Sequence, residues 1–428
     1  MEMKKYKKTR IIPTGWKEIC LGEEFRTSSG ATPLSTEKSY YEGGTIPWIN
    51  SGELASPHIY KAKNFITEKG FEHSSTEMYP KGTVLVAMYG ATAGKASLLE
   101  IEACTNQAIC AILPNKNYSS EFIKYNLDTL YTHLVGLSSG SARDNLSQAG
   151  LKELKLVLPQ TKKEQEKLIS ILSSLDRKIS LDQQINATLE AIAKQLYDYW
   201  FVQFDFPDAN GKPYKSSGGE MVWNERLKRE IPACFNVKKL GELCCFRNGI
   251  NYSKDEVGKN YKIVNVRNIS SSKILLDGEN FDTVTVNEDK AQNYLLKTSD
   301  IIIARSGCPG STRLLLSPEN TLFCGFIICC TPLKNSMRNY LTFCLKQLEG
   351  TSATTSGGSI LQNVSQDTLK SLEIIEPNIQ IIDRFNNIID LLLQRMLNCS
   401  KQIATLTAQR DTLLPLLMNG QATVGEEA

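Results

Sequence analysis

The feature that most restricts what this chain can fold into is internal duplication. Ile12-Pro13 recurs as Ile231-Pro232 and Leu21-Gly22-Glu23 as Leu240-Gly241-Glu242, each displaced by 219 positions. Val84-Leu85-Val86-Ala87 followed by Gly90 answers Ile301-Ile302-Ile303-Ala304 followed by Gly307, displaced by 217. Asn145-Leu146-Ser147, Leu151, Leu154 and Pro159 answer Asn363-Val364-Ser365, Leu369, Leu372 and Pro377, displaced by 218. The register then persists through Ile171, Leu175, Ile179, Gln184, Ile185 and Leu196, matched by Ile389, Leu393, Leu397, Gln402, Ile403 and Leu414. A near-constant offset over this many matches marks two diverged copies of one unit.

Each copy has two parts. The first, about 12–159 and 231–377, is broken by Gly, Pro, Ser and Asn. It carries short β-type runs at 83–89, 108–113, 261–266, 300–304 and 325–331, the pattern of a compact mixed α/β domain. The second part is helical. From 385 onward the apolar stripe is Phe385, Ile389, Leu392, Met396, Cys399, Ile403 and Leu406, then Arg410, Leu413 and Leu417. Steps of four and three are a coiled-coil heptad. In the first copy the stripe is Leu168, Leu172, Leu175 and Ile179, then Asp182 and Asn186, then Leu189, Ala193, Leu196 and Trp200. The two polar residues read either as a solvated stagger or as a register device. Pro159 and Pro377 precede the helical patterns and Gly420 follows the second, as helix punctuation should.

A helix of over forty residues is roughly 60 Å long and cannot hide its stripe on one small domain. The economical expectation is that the two helices pair. A turn-rich segment, 205–230, would let the chain leave the first helix and build the second domain. The expected organisation is α+β, with two tandem mixed α/β domains (1–159 and 231–377). Each is followed by a long helix (160–204 and 378–420), with a linker at 205–230 and a tail at 421–428. Antiparallel pairing of the helices would give pseudo-two-fold symmetry.

Composition excludes several classes. The content is 41% apolar and 22% charged, with a net charge of only +3, which describes a soluble globular protein with no strong basic signature. The basic start, Lys4, Lys5, Lys7, Lys8 and Arg10, lacks the apolar stretch of a signal peptide and reads as a solvated arm. The longest apolar run, Phe323 to Cys330, is far short of the roughly 18 residues that span a membrane, so a cytoplasmic location is expected. The twelve cysteines include no Cys-x-x-Cys pair and there are only three histidines. Reduced thiols packed as small hydrophobes, and no metal, are expected.

Two motifs imitate chemistry. Gly90-Ala-Thr-Ala-Gly94-Lys95-Ala96 resembles a phosphate-cradling P-loop, but it has three residues between the glycines and no Ser or Thr after the lysine. Its counterpart, Gly307 to Arg313, has no Gly-Lys. A tight turn that brings backbone and Lys95 or Arg313 towards a phosphate fits better. Asp144, Glu153 and Lys155 imitate a magnesium-binding nuclease cluster, yet the second copy holds Gln362, Ser371 and Glu373 there. No Asn-Pro-Pro-Tyr-like motif of an adenine methyltransferase is present.

The segment Tyr199-Trp200-Phe201-Val202-Gln203-Phe204-Asp205-Phe206-Pro207, with Asn210-Gly211-Lys212-Pro213-Tyr214 through Met221, resembles the junction after the central helix of type I restriction-modification specificity subunits. The ending Arg410-Asp411-Thr412-Leu413-Leu414-Pro415-Leu416-Leu417-Met418-Asn419-Gly420 is similar to that family's ending. The Ile-Pro and Leu-Gly domain openings and the late Gly140-Ser141 and Gly358-Ser359 also fit; Cys234-Phe235 departs from Gly15-Trp16 of the first copy.

The resemblance implies a non-catalytic DNA reader. Each globular part would be a target-recognition domain contacting one half of a bipartite, asymmetric site on double-stranded DNA. The helices would set the spacer and dock two modification subunits. S-adenosylmethionine, ATP and Mg²⁺ would sit on partner subunits, with two motor-nuclease subunits as further optional partners. Base readout needs Arg, Lys, Asn or Gln at groove edges, while Ser, Lys and backbone N–H groups hold phosphates. The candidates are Asn50, Ser51, Tyr89, Lys95, Arg143 and Asn145 in the first domain. In the second they are Arg267, Asn268, Arg305, Ser306, Arg313, Gln362 and Asn363. The competing readings are a coiled-coil scaffold with two protein- or ligand-binding domains, and a self-contained nuclease or methyltransferase.

Overall fold

The computed structural model describes residues 12–139, 146–253, 256–276, 278–347, 349 and 364–423. The chain divides into two compact units, residues 1–177 with 406–428, and residues 178–405. The division cuts both long helices, so each unit contains a globular part and a stretch of each helix.

In the first unit, β1 (Trp16–Cys20) pairs antiparallel with β10 (Lys155–Pro159), the strand that leads into the first long helix. Between them lies a five-stranded sheet. Its order is β2 (Thr27–Ser29), β9 (Ile109–Ile112), β6 (Val84–Ala87), β7 (Ala96–Leu99) and β4 (His58–Ile59). A three-stranded sheet has the order β5 (Asn64–Ile66), β3 (Ile46–Ile49) and β8 (Cys104–Thr105). Every residue of β6, β7 and β9 is buried, which is why β6 and β9 are continuous apolar runs without alternation, while Ser97 of β7 donates to Ser56 O at 2.7 Å. One face packs Val84, Val86 and Cys110 on the helix Ser120–Thr129, while Leu85, Ala87 and Ala111 fill a second core.

The second unit repeats this plan. β13 (Asn236–Lys239) pairs with β21 (Glu373–Glu376). The order β14 (Cys244–Asn248), β20 (Ile327–Pro332), β17 (Ile301–Ala304), β18 (Thr312–Leu314) reproduces the larger sheet. The order β16 (Asp282–Val286), β15 (Lys259–Val264), β19 (Thr321–Phe323) reproduces the smaller one. The strand equivalent to β4 shrinks to a single bridge, Leu275 beside Leu314. Gly30 and Gly249 occupy the same place in the two copies. A Cβ on either would lie 1.9 Å from the Thr105 carbonyl oxygen or 2.0 Å from that of Cys324, so only glycine lets the chain pass.

Segment 205–230 is more than a connection. Phe204 takes a left-handed φ of 65° at the end of the helix, and the Asp205 carboxylate accepts from Ser216 N at 2.7 Å and Ser216 Oγ at 2.6 Å. Phe204 and Phe206 join Tyr197, Trp200, Phe201, Phe235 and Phe385 in the main core of the unit. The chain then forms a hairpin of β11 (Met221–Asn224) and β12 (Arg229–Pro232). The aromatic run at the end of the helix therefore continues into the connecting segment, where Phe206 is also a core residue.

The long helices are α1 (Lys162–Tyr197, 36 residues, continued by a π turn to Val202) and α2 (Ile379–Met418, 40 residues). In the second unit Asn186 Nδ2 donates to Ser400 Oγ at 3.1 Å, and the Phe201 ring meets Phe385 at 5.0 Å. Moving forward along α1 moves backward along α2, which is antiparallel pairing. In the first unit Leu168, Ile169 and Leu172 share a core with Leu417 and Met418, in the same sense. The stripe read from sequence is buried or half-buried throughout, with Leu393 inserted more deeply than Leu392. Asp182 is not solvated: it is fully buried and accepts from Lys178 Nζ at 2.6 Å.

Buried polar contacts fasten each globular part to the helices. Asp176, only 6% exposed, accepts the Tyr125 hydroxyl on one oxygen at 2.6 Å and Arg410 Nη1 on the other at 3.1 Å. Burial, with the Asp176 carboxylate beside it, pushes the Tyr125 phenol well above its ordinary value and keeps it a donor. In the second unit Asn339 Nδ2 donates to Asn386 Oδ1 at 3.0 Å and to Asp390 Oδ1 at 2.8 Å.

Two expected outcomes test this account. Gly249→Ala should destabilise the fold by about 2–3 kcal/mol, because the intruding methyl meets main chain that cannot rotate away; urea unfolding measures it. Asp176→Ala should cost about 3 kcal/mol by stranding the buried Tyr125 hydroxyl and removing the buried one of the two carboxylates that Arg410 meets, Asp411 being the other, and Asp176→Asn should recover part of that loss.

Candidate nucleic-acid interface

In the first unit three loops and a capped turn meet at one edge. The β6–β7 hairpin closes with Gly94 N donating to Ala87 O at 2.9 Å and Ala87 N to Lys95 O at 3.0 Å. Gly90 and Gly94 turn at φ of 88° and 79°. This hairpin is the P-loop-like stretch; it leads into antiparallel β7 and not into a helix, so the anion cradle of a P-loop is not formed. Beside it, Met88 N donates to Ala108 O at 2.8 Å and Thr92 Oγ1 to Ser51 O at 2.8 Å. Asn106 N donates to Ile49 O at 3.0 Å, and Ala31 N to Thr105 O at 3.0 Å.

The predicted residues divide on this geometry. Asn50 opens the turn Ser51–Ala55; its N–H donates to Glu53 Oε1 at 3.0 Å and its Oδ1 accepts from Asn106 Nδ2 at 3.2 Å. Its Nδ2 has no hydrogen-bond partner among the described residues. Tyr89 is exposed at the hairpin and Ser51 is half-buried beside it, so Asn50, Ser51 and Tyr89 do share an edge. Lys95 lies elsewhere. Its ammonium sits over the Tyr131 ring at 4.3 Å, facing a cavity of about 310 Å³ lined also by Lys124, Asp128, Asp176 and Arg410. Arg143 and Asn145 lie outside the described residues. Exposed Gln107, which accepts a hydrogen bond from Thr32 Oγ1, belongs to the same edge and was missed. It sits between two buried strands, and nothing local distinguishes it from a turn residue.

The second unit forms the same edge from different side chains. Gly310 N donates to Ala304 O at 2.9 Å, Arg305 N to Phe326 O at 2.8 Å, and Cys324 N to Val264 O at 3.0 Å. Arg305 is exposed, Ser306 is half-buried, and the Arg305 side chain has no hydrogen-bond or ion-pair partner among the described residues. Arg267 is exposed and paired with Asp282. Two predicted residues are buried inside the fold and cannot reach a base without rearrangement. Asn268 accepts from Asn265 N at 2.8 Å and donates to Asn280 O at 3.0 Å. Arg313, 6% exposed, donates from Nε to Ile269 O at 3.1 Å and Ser272 O at 3.0 Å, and from Nη1 to Glu349 at 2.8 Å. Desolvating a guanidinium demands that its donors be used, and neighbouring carbonyls and a carboxylate use them. Gln362 and Asn363 lie outside the described residues. Phe326 and Tyr252, both exposed, were missed because an isolated aromatic in a Gly-rich stretch reads as core.

The chemistry-mimicking residues have structural employment. Lys155 pairs with Glu18 across the β1–β10 ladder at 2.9 Å. The twelve cysteines are free thiols, most of them buried; burial pushes Cys110 and Cys329 up to about 12. Among the described residues no cluster of His, Cys, Asp or Glu is arranged to hold a metal, and no helix is long and apolar enough to cross a membrane.

Residues 13–191 and 232–401 match the family described as the type I restriction modification DNA specificity domain. A relative from Methanocaldococcus jannaschii, the type I restriction enzyme MjaIX specificity subunit, is 29% identical over 98% of this chain and 97% of its own length. The HindI specificity subunit of Haemophilus influenzae is 22% identical over 95% of this chain and 99% of its own. The crystal structure of a type I restriction-modification S subunit from M. genitalium covers 97% of both chains with a TM-score of 0.59 at 18% identity, which is a likeness of fold. With both copies of the repeat matched over most of their length, the chain belongs to the family of DNA specificity subunits of type I restriction-modification systems.

Proposed function

We propose that each globular part reads one half of a bipartite DNA site, and that the halves differ in sequence. The observation that carries this reading is the repeated edge. The same main-chain hydrogen bonds place a hairpin, a capped turn and two loops together in both copies, yet the side chains presented differ. The first unit offers Asn50, Ser51, Tyr89 and Gln107; the second offers Arg305, Ser306, Phe326 and Tyr252. Amides suit adenine and guanidinium suits guanine, so unlike side chains on a common frame favour unlike half-sites.

The chain assembles with the other subunits of a type I complex. Two modification subunits dock along the paired helices, bringing S-adenosylmethionine for adenine methylation. Where motor-nuclease subunits join, they bring ATP and Mg²⁺. The unread spacer between the halves follows from the fixed length of α1 and α2. The net charge of +3 supports a shared grip on phosphates, with the partners supplying much of it, in the cytoplasm where the DNA is. The scaffold alternative has no specific observation in its favour.

Exchanging residues 231–377 for those of a relative with a different target should change one half of the methylated sequence and leave the other half and the spacer intact. Sequencing the methylated genome reads this directly. An unchanged methylated sequence, in cells with an active modification partner, would sink the proposal. Leu406→Pro, which breaks α2 at a seam position, should release the modification subunits in co-purification, since a mid-helix proline costs about 3 kcal/mol or more.

A further inference from the structure

Arg305 follows directly on β17, where Ala304 stands opposite Ile327 of β20. One step past the strand ends, the Arg305 N–H donates to Phe326 O at 2.8 Å, so the register continues. Residues opposite each other on antiparallel strands project from the same face, with Cβ atoms about 5 Å apart. Phe326 is 64% exposed. It is also held in place: the preceding Gly325 is pressed so close to Asn251 that a Cβ would lie 2.2 Å from its Oδ1. Gly307, two residues beyond Arg305, also packs closely, on Val266, where an added Cβ would lie 2.9 Å from Cγ1. The two loops are thus closely packed, and a guanidinium with no partner among the described residues and a phenyl ring project side by side.

We propose that Arg305 and Phe326 read two adjacent base pairs in the major groove, a guanine by the guanidinium and a neighbouring thymine by the phenyl ring. The inference rests on the DNA-reading role proposed above and deepens it. The guanidinium fork matches O6 and N7 of guanine, and the thymine C5-methyl is the apolar feature of the groove edge. Roots about 5 Å apart suit neighbouring pairs, which stack about 3.4 Å apart. A phosphate contact would employ the arginine but leave the ring against a charged, hydrated backbone, where it gains nothing. The first unit lacks this pair: its equivalent contact joins Met88 and Ala108, both buried. The guanine–thymine step therefore belongs to one half-site only.

The test uses the full complex of this chain with its modification subunits, methylating a library in which the half-site assigned to residues 231–377 by exchange is randomised. Arg305→Ala should lower the preference for one G·C pair by about 10- to 100-fold and leave the other positions intact. Phe326→Ala should lower the preference for an adjacent T·A pair. Replacing that thymine by uracil should impair the unaltered complex to the same degree and make no difference to the Phe326→Ala complex. Four outcomes would overturn the proposal: equal loss on all sequences, loss at non-adjacent pairs, loss confined to the other half-site, or indifference of the unaltered complex to uracil. If exchanging 231–377 does not alter the methylated sequence at all, the half-site reading itself fails, which is a separate result. Both side chains are exposed, so an unchanged unfolding curve confirms that each variant is folded.

Discussion

The constraint on which the rest depends is the apolar stripe of two helices too long for their own domains to cover. α2 runs for 40 residues, and within the second unit its buried positions Phe385, Ile389, Leu393 and Met396 lie in one core with Ala193, Tyr197, Trp200 and Phe201 of α1. Within the first unit the remaining seam is closed by Leu168, Leu172, Leu413 and Leu417. Because pairing is antiparallel, each compact unit takes in helix from both copies of the repeat: the first joins 1–177 to 406–428, and the second runs from the middle of α1 to the middle of α2. Non-directional burial drives the pairing. Asp176, Asn186 and Arg410 add direction to it, since a buried polar group has few acceptable partners.

The frame was legible because its signals are redundant. Heptad spacing, proline and glycine punctuation and a constant offset of the repeat all point the same way, and the strands at 84–87, 109–112 and 301–304 fall inside the apolar runs that announce them. The candidate residues of the edge were only partly legible, since exposure is a property of the folded chain. Arg313 and Lys95 both follow the hairpin and both carry charge, although the register matches Arg313 with Ser97 and Lys95 with Ser311. One is enclosed by Ile269, Ser272 and Glu349, while the other lies over a tyrosine ring above a cavity. Asn268 satisfies the turn rule that places an amide three residues after Asn265, so its polarity serves the backbone. Segment 205–230 shows a related limit. Turn residues mark changes of direction but say nothing of the aromatic rings between them, which here complete a core.

Duplication followed by divergence has acted unequally on the two surfaces of each copy. The backbone course is kept even where a side chain could not be accommodated, as at Gly30 and Gly249. The polar fastening to the helices has been reinvented, with a tyrosine–carboxylate–arginine relay in one unit and a ladder of amides and a carboxylate in the other. What must remain constant is the position of the domain on its helices, and several chemistries achieve that.

The main-chain closure of the edge has one more consequence. Ala87, Ala304, Val264, Arg305 and Phe326 hold the loops through N–H and C=O groups, which every residue but proline supplies in full. Exposed side chains such as Arg305 and Phe326 are consequently spared from shaping the edge, and their replacement leaves its main-chain bonds untouched. Such a surface behaves like movable type set in a fixed frame: new letters can be substituted one at a time without recasting the frame. A lineage carrying it can drift from one recognition sequence to another through stable intermediates, and the barrier to change lies in keeping step with its partners rather than in the stability of the chain.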